Sequence, residues 1–171
     1  MKSSLTKILV FTTILLSVAS CRLIPKDQVP VNLKTVKITV SDSGNKEKNI
    51  NPKLIWLYDN DINSAWYHDN HTSGWIKFDL SESQISIVTI MSFIPAHMSW
   101  SGAGIKNFRF EGSNDETNWD ILYTHIAKNN FFEQKYFLNN TTSYRFYKLH
   151  ILDSYTSNVG LSEIKLFGNI K

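Results

Sequence analysis

Apolar and polar residues alternate along much of the chain, and this alternation predicts β-strands rather than helices. In the segment 75–80 (WIKFDL), three apolar residues fall on one face, with a lysine and an aspartate on the other. Successive side chains of a strand point to opposite faces, so a period of two is typical of a strand with one buried face. The segment 85–94 (ISIVTIMSFI) is apolar almost throughout, as expected of a strand buried on both faces. No segment keeps the period of an amphipathic helix over three turns.

Eight segments follow one or the other strand pattern, and turns rich in Asn, Ser, Asp and Gly separate them. They cover residues 35–40, 75–80, 85–94, 106–113, 119–127, 134–138, 144–152 and 161–167. Many short strands joined by polar turns predict an all-β sandwich or barrel. The length of 171 residues fits a single domain with a short additional segment.

The additional segment stands at the N-terminus. Lys2 and Lys7 precede the apolar run 8–16 (ILVFTTILL), which is too short to span a bilayer but long enough for the core of an export signal. The following SVASC resembles the lipobox of bacterial lipoproteins, in which the cysteine is acylated through sulfur and becomes the new N-terminus. Cys21 is the only cysteine in the chain, as expected of a thiol that carries a lipid rather than a disulfide or a metal. The alternative is an ordinary signal peptide that contains a cysteine.

This pattern divides the chain into a lipoprotein signal peptide (1–20), a tether (21–34) and a domain (35–171). The tether assignment depends on residues 22–34, which contain two of the four prolines of the chain. The resemblance implies a bacterial cell envelope location, and Arg22 after the cysteine directs the protein to the outer membrane of a diderm host. Removal of the signal leaves sixteen basic and fifteen acidic side chains, a net charge of +1. No basic run survives, so we expect no nucleic-acid partner.

Five motifs inside the domain occur in a characteristic order. They are YDNDINSAW, GWIKFDL, IKNFRFEGSNDETNWDIL, YRFYKLHI and GLSEIKLFG, over roughly residues 40–168. Their order resembles the coagulation factor 5/8 type C (F5/8 type C), or discoidin, family, which includes the family 32 carbohydrate-binding modules. Asn60 and Glu116 stand where the family has glycines, Ser64 stands for a threonine, and the disulfide of the animal members is absent. The resemblance implies a jelly-roll β-sandwich of about eight strands, with the galactose-binding-domain-like fold.

The resemblance also implies a structural cation, usually calcium, between the first acidic loop and the last strand. Calcium takes six to eight oxygen ligands from carboxylates, hydroxyls and carbonyls. Carried over by position, the ligands would be the Asp59 and Asp61 carboxylates, the Ser64 oxygens, the Trp56 and Ser162 carbonyls and the Glu163 carboxylate. The alternative is a solvated acidic turn, with Glu163 an ordinary surface residue.

Catalytic motifs are not found. The chain has no HExxH, no GxSxG and no phosphate-binding loop. Asp59 and Asp61 could form a glycosidase pair, but a role as cation ligands explains the same spacing and accounts for Glu163 as well. A metal held by this many protein ligands is structural. We therefore expect a protein that is not an enzyme.

The expected ligand site lies in loops at one end of the sandwich, near the cation, as it does in the family. The loops 67–74, 95–104 and 153–160 have suitable composition, since aromatic faces fit the C–H patches of sugars and polar groups bind their hydroxyls. The expected contacts are His68, His97, Trp100, Tyr155 and Asn158. Each histidine alone also fits a hydrogen-bonded structural role, and Trp100 fits a cover for the open end of the sandwich. The sugar-contacting arginine of the family has no clear counterpart between residues 94 and 104.

The predicted function is therefore binding of a glycan or another cell-surface ligand by a monomer, with the lipid anchor as its only membrane contact. The alternatives are an adhesion or scaffold module that binds a protein, and a subunit of a larger surface complex. The polar loop 67–74 disfavours insertion into a membrane.

Overall fold

The computed structural model describes residues 24–41, 54–68, 70–81, 83, 85–96 and 104–170. Within these residues the chain forms ten strands and two short 3₁₀ helices. The strands are β1 (Val29–Pro30), β2 (Lys37–Val40), β3 (Trp66–His68), β4 (Gly74–Asp79), β5 (Ile85–Pro95), β6 (Asn107–Ser113), β7 (Asp120–Ile126), β8 (Gln134–Phe137), β9 (Phe146–Ile151) and β10 (Val159–Ile170). The helices are η1 (Leu33–Thr35) and η2 (Leu54–Leu57), and no described helix has the length and apolar character needed to cross a bilayer.

Two antiparallel sheets form a sandwich. The first has the order β1-β10-β5-β8, with β3 also pairing with β10, and the second has the order β2-β4-β9-β6-β7. The longest ladder joins β10 to β5, from Leu161 opposite Pro95 to Ile170 opposite Ile85. This ladder covers most of β5 and β10, so positions along β10 define the two ends of the first sheet. The predicted all-β sandwich is confirmed.

The inner faces of the two sheets share one hydrophobic core. β4 buries Ile76 and Phe78 completely and leaves Lys77 and Asp79 half-buried on the outer face, as its alternating pattern predicts. The largest fully buried side chains include Trp66, Tyr147, Phe78, Phe93, Phe108 and Phe110. Full burial of an aliphatic or Phe side chain stabilises the fold by about 1.5–3 kcal/mol. The packing of such side chains between the sheets therefore dominates the stability of the sandwich.

All eight predicted strands are present, with ends that differ by a few residues. Most residues of β5 are buried, as its continuous apolar run indicates. The sequence pattern misses β1 and β3, which have only two and three residues. Such short strands contain too few positions for an alternating pattern to be recognised.

The predicted tether is not separate from the domain, and this finding corrects the predicted domain start at residue 35. β1 pairs with β10, with Val29 opposite Gly168, and the Val31 and Leu33 side chains are buried in the core. The Gln28 amide donates to Asn169 Oδ1 at 2.7 Å. Residues 24–34 therefore belong to the sandwich, while Cys21 and the signal peptide lie outside the described residues.

Two residues at family glycine positions adopt backbone conformations that glycine favours. Asn60 has φ 63° and Glu116 has φ 61°, both in the left-handed region. The turn at Glu116 is held by Asp115, whose Oδ1 accepts from the Thr117 and Asn118 backbone N–H groups. These hydrogen bonds hold the pKa of the Asp115 carboxyl well below its usual range. The departures from glycine thus keep the backbone geometry of the motif.

Candidate functional site

The acidic loop after η2 is shaped by its own oxygen atoms. Asp59 Oδ1 accepts from the Asp61 backbone N–H at 2.9 Å, and Asp59 Oδ2 accepts from the Ser64 hydroxyl at 2.8 Å. The Asp61 carbonyl accepts from the Ser64 N–H at 3.1 Å, and the Asp61 carboxylate accepts from the Asn63 backbone and side-chain amides. Asn60, with its positive φ, forms the bend between the two aspartates. These contacts turn Asp59 and Ser64 toward each other.

The aromatic residues around this loop anchor it in the core. Trp66 is completely buried, and Tyr58 packs partly against the main core cluster. Trp56 lies in η2, where it is half-buried. The acidic side chains between them are therefore held at the surface while the flanking rings are inside. This arrangement explains how like charges and large aromatics occur together in one short segment.

β10 brings Ser162 and Glu163 against the acidic loop. The Ser162 hydroxyl donates to the Ile62 carbonyl at 3.2 Å. Glu163 is only 3% exposed, and its carboxylate lies beside Asp59 and accepts from the Asn60 backbone N–H. Burial, together with the neighbouring Asp59 carboxylate, raises the pKa of Glu163 to about 6. Glu163 Oε1 is buried without a hydrogen-bond partner in the described part of the chain.

Asp59, Ser64 and Glu163 offer carboxylate and hydroxyl oxygens of the kind that a hard cation takes. A buried carboxylate oxygen without a donor is costly, and a second carboxylate beside it increases the cost. A divalent cation would satisfy the Glu163 oxygen and neutralise Asp59. The described residues contain no group of three or more His, Cys, Asp or Glu side chains placed to hold a metal. Asp61 was expected to face the cation site together with Glu163. Its carboxylate instead accepts hydrogen bonds from Asn63.

The predicted ligand residues that the structure describes lie at one end of the sandwich. His68 is at the end of β3, opposite Val159 at the start of β10. The His68 ring stacks on the His71 ring, with centroids 3.8 Å apart, and its Nδ1 is 3.2 Å from the Ser73 carbonyl. Asn158 Oδ1 accepts from the Asn70 N–H at 2.8 Å. These contacts join the loops 67–74 and 153–160.

A third loop is attached to the same end. The Ala96 N–H donates to the Gly160 carbonyl at 3.1 Å, and the Ser154 hydroxyl donates to the Gly104 carbonyl. The segment between Ala96 and Gly104 is therefore fastened at one end to Gly160 at the start of β10 and at the other to Ser154 in the loop that precedes β10. This segment contains the predicted contacts His97 and Trp100, which lie outside the described residues.

Burial separates the described candidates into two groups. His68 and Asn158 are 6% and 4% exposed, which favours a role in holding the loops over direct contact with a ligand. Tyr155 is 37% exposed, and its hydroxyl donates to the Ala127 carbonyl at 2.9 Å. His71, which was not among the predicted contacts, is exposed above His68. The HDNH spacing, with a turn between two histidines, is the sequence signal for this pair.

The two sheets, the loop end and the acidic loop define an antiparallel β-sandwich of the class seen in F5/8 type C domains and family 32 carbohydrate-binding modules. Neither a family model nor a curated protein matches the sequence. Solved structures do match the fold. The F5/8 type C domain of a Bacteroides fragilis protein has a TM-score of 0.67 and 15% identity, over 86% of this chain and 100% of that chain.

Two similar structures contain bound sugars. The family 32 module of Clostridium perfringens NanJ, in complex with galactose, has a TM-score of 0.65 and 11% identity, over 82% of this chain and 98% of that chain. CpGH89CBM32-5 from Clostridium perfringens, in complex with GalNAc-β-1,3-galactose, has a TM-score of 0.64 and 16% identity, over 82% of this chain and 100% of that chain. At these identities the similarity concerns the fold.

Proposed function

We propose that the protein is a non-catalytic carbohydrate-binding module that takes a glycan at the loop end of the sandwich. The observation that carries this proposal is the joining of three loops at that end, through Asn158 to Asn70, Ser154 to Gly104 and Ala96 to Gly160. Loops tied together in this way form a preorganised surface, which lowers the entropy lost on binding. Bound sugars in two proteins of the same fold give further support.

In this proposal Trp100 is the platform for a sugar ring, and His97, His71 and Tyr155 supply polar contacts. His68 and Asn158 would not contact the sugar. Their hydrogen bonds hold the loops that carry these groups. An aromatic face fits the apolar side of a pyranose, and polar groups around it bind hydroxyls. A shallow site of this kind buries little area, so the dissociation constant should be roughly micromolar to millimolar.

We propose further that calcium stabilises the fold between the acidic loop and β10. Asp59, Ser64 and Glu163 would hold it with their side chains, and backbone carbonyls of the two segments would complete the coordination. The unpartnered Glu163 Oε1 and the raised pKa of that carboxyl support this proposal. The ion would be structural and would take no part in a reaction.

The proposed location is the bacterial cell envelope, at the outer membrane in a diderm host, with a lipid on Cys21. The support is the sequence pattern of an apolar run followed by SVASC, together with a domain that begins only a few residues later. The loop end and the lipid would then be the two points at which the protein contacts other molecules.

Protein binding is the second candidate function. It is favoured by exposed apolar residues along the edge strand β7 and in the loop after it. Ile121, Ile126 and Phe132 are 56%, 61% and 76% exposed. Such a group is suited to a protein partner rather than to a sugar. A protein-binding adhesion module or a subunit of a larger complex would use this surface.

A glycan array with residues 24–171 tests the proposal. We expect binding to a restricted set of glycans, loss of binding in Trp100→Ala, and unchanged binding in Phe132→Ala, an exposed aromatic outside the three loops. Trp100→Ala should leave the melting temperature nearly unchanged, because an exposed platform contributes little packing. If Trp100→Ala instead lowers stability by several kcal/mol, as removal of a core aromatic does, Trp100 covers the core and protein binding becomes the better proposal.

A further inference from the structure

The link between Cys21 and the sandwich is short. The Gln28 N–H donates to the Pro25 carbonyl at 3.0 Å, which closes a turn over residues 25–28. The Gln28 side chain is bonded in turn to Asn169 and Thr89. Four residues from Cys21 to Pro25 span at most about 14 Å. The turn adds less than about 7 Å, so the sulfur of Cys21 is attached within about 21 Å of Gln28.

This attachment point is at the end of the sandwich that is remote from the ligand loops. β1 enters the first sheet with Val29 opposite Gly168, near the end of β10. The loop end is at the start of β10, where Val159 pairs with His68. The nine residue steps from Val159 to Gly168 correspond to about 30 Å of strand. The loops that follow β3 and precede β10 extend beyond that distance.

We propose that the loop end points away from the membrane that anchors the chain and takes its glycan in trans. This inference rests on the proposed acylation of Cys21 and on the proposed glycan site. To face its loop end toward the headgroups of its own leaflet, the domain would have to turn over. The link would then have to span the length of β10, and it is shorter than that by about 10 Å.

This geometry restricts where the bound glycan can be attached. A sugar attached to a lipid headgroup of the anchoring leaflet lies on the membrane side of the sandwich, opposite the loop end and out of reach of the loops. A glycan that stands above that surface, on a secreted polymer or a second cell, lies on the side that the loops face. The same geometry removes the phospholipid headgroup of the anchoring membrane as a ligand of these loops.

The orientation can be measured with the mature chain, residues 21–171, because Cys21 is its only thiol. Cys21 is coupled to maleimide-headgroup lipid in phosphatidylcholine vesicles that carry acceptor-labelled lipid. A donor dye is attached through an azide-bearing amino acid at Ser157, at the loop end, or at Thr141, at the opposite end. Both positions are exposed. Asn140, beside Thr141, donates to Val88, the partner of Gly168.

Energy transfer to the lipid should be several-fold lower from Ser157 than from Thr141. Insertion of a Gly/Ser linker of about twenty residues between Leu23 and Ile24 should make the two values similar, because a flexible link lets the domain tumble. Equal transfer from both positions with the native link would overturn the proposed orientation.

The chemical coupling makes this result independent of acylation in cells. Mass spectrometry of the N-terminal peptide of the native protein tests acylation separately. Glycan binding is tested separately on the array. Failure of the orientation and failure of the proposed function are therefore distinguishable.

Discussion

Asp59 and Glu163 bring an exposed carboxylate against a buried one, because Glu163 is only 3% exposed while Asp59 lies at the surface. Without a cation, the burial of Glu163, together with the neighbouring Asp59 carboxylate, raises the pKa of Glu163 to about 6. The Glu163 carboxyl lowers the cost of burial by keeping a proton that it would otherwise release. A bound cation would neutralise the ionised carboxylate, so Glu163 would no longer have to keep that proton. We therefore expect the same side chain to couple the stability of the sandwich to pH and, if the proposed calcium binds, to calcium as well.

This coupling predicts opposite pH trends with and without calcium. Between the ordinary Glu pKa of 4.5 and about 6, the native state holds a proton that the unfolded chain has lost. The free energy of unfolding in EDTA should therefore fall as pH rises through that window, by at most about 2 kcal/mol. Calcium binds the ionised carboxylate, so the stability that calcium adds should grow over the same window.

Urea denaturation at several pH values, with EDTA or calcium, measures both trends. Glu163→Gln should remove the difference between the two conditions, while Asp27→Asn, at an exposed aspartate, should keep it. Identical profiles in EDTA and calcium for the unmodified domain would mean that the acidic loop holds no calcium.

At the scale of elements, the N-terminal segment decides where the domain begins. β1 pairs with β10, and η1 places Leu33 in the core with 6% of its surface exposed. The Asn32 side chain caps η1 by accepting from the Lys34 N–H at 3.2 Å. Local capping and distant strand pairing thus hold the same short segment. Its proline content alone gave the opposite expectation of a free tether.

Leu33→Ala should lower the free energy of unfolding by about 2–5 kcal/mol, because it leaves a cavity beneath η1. Lys34→Ala, one residue later on an exposed position, should change it by no more than about 0.5 kcal/mol. Chemical denaturation of residues 24–171 carrying each substitution gives these values. If a fragment starting at residue 35 has the full stability of residues 24–171, the domain begins at residue 35, as the sequence indicated.

At the scale of the whole molecule, the two ends of the sandwich carry different segments of the chain. The chain enters near Gly168, and the three joined loops lie near Val159 at the other end of β10. The acidic loop packs against β10 between them, at Ser162 and Glu163. One strand therefore connects the entry point, the acidic loop and the three joined loops. In the proposed function, this separation would let an anchor and a ligand act without competing for surface.

Cys21→Ser should abolish membrane anchoring without changing the fold, because the residue precedes the sandwich. We expect the variant either to remain an unprocessed precursor or to appear in the soluble fraction. Cell fractionation and the mass of the N-terminal peptide provide the readout, and Arg22→Lys serves as a control that keeps the cysteine. A membrane-bound mature protein with an unmodified Cys21 thiol would contradict lipid anchoring.

The sequence by itself determined the fold class and most of the strands. Alternation with a period of two reports which face of a strand is buried, and that information is local. The motifs around Asp59 and Glu163 also indicated which segments carry chemistry. Left-handed turns at Asn60 and Glu116 kept the backbone of those motifs, although neither residue is glycine.

The tertiary structure alone decided which of these residues meet and which are buried. Glu163 contacts Asp59 because β10 lies beside the acidic loop, and His68 and Asn158 are buried because the loops that carry them close over each other. Val31 and Leu33 join the core because β10 offers an unpaired edge to β1. Pairing between segments distant in sequence depends on the packing of the whole sandwich, and periodicity within one segment carries no information about it.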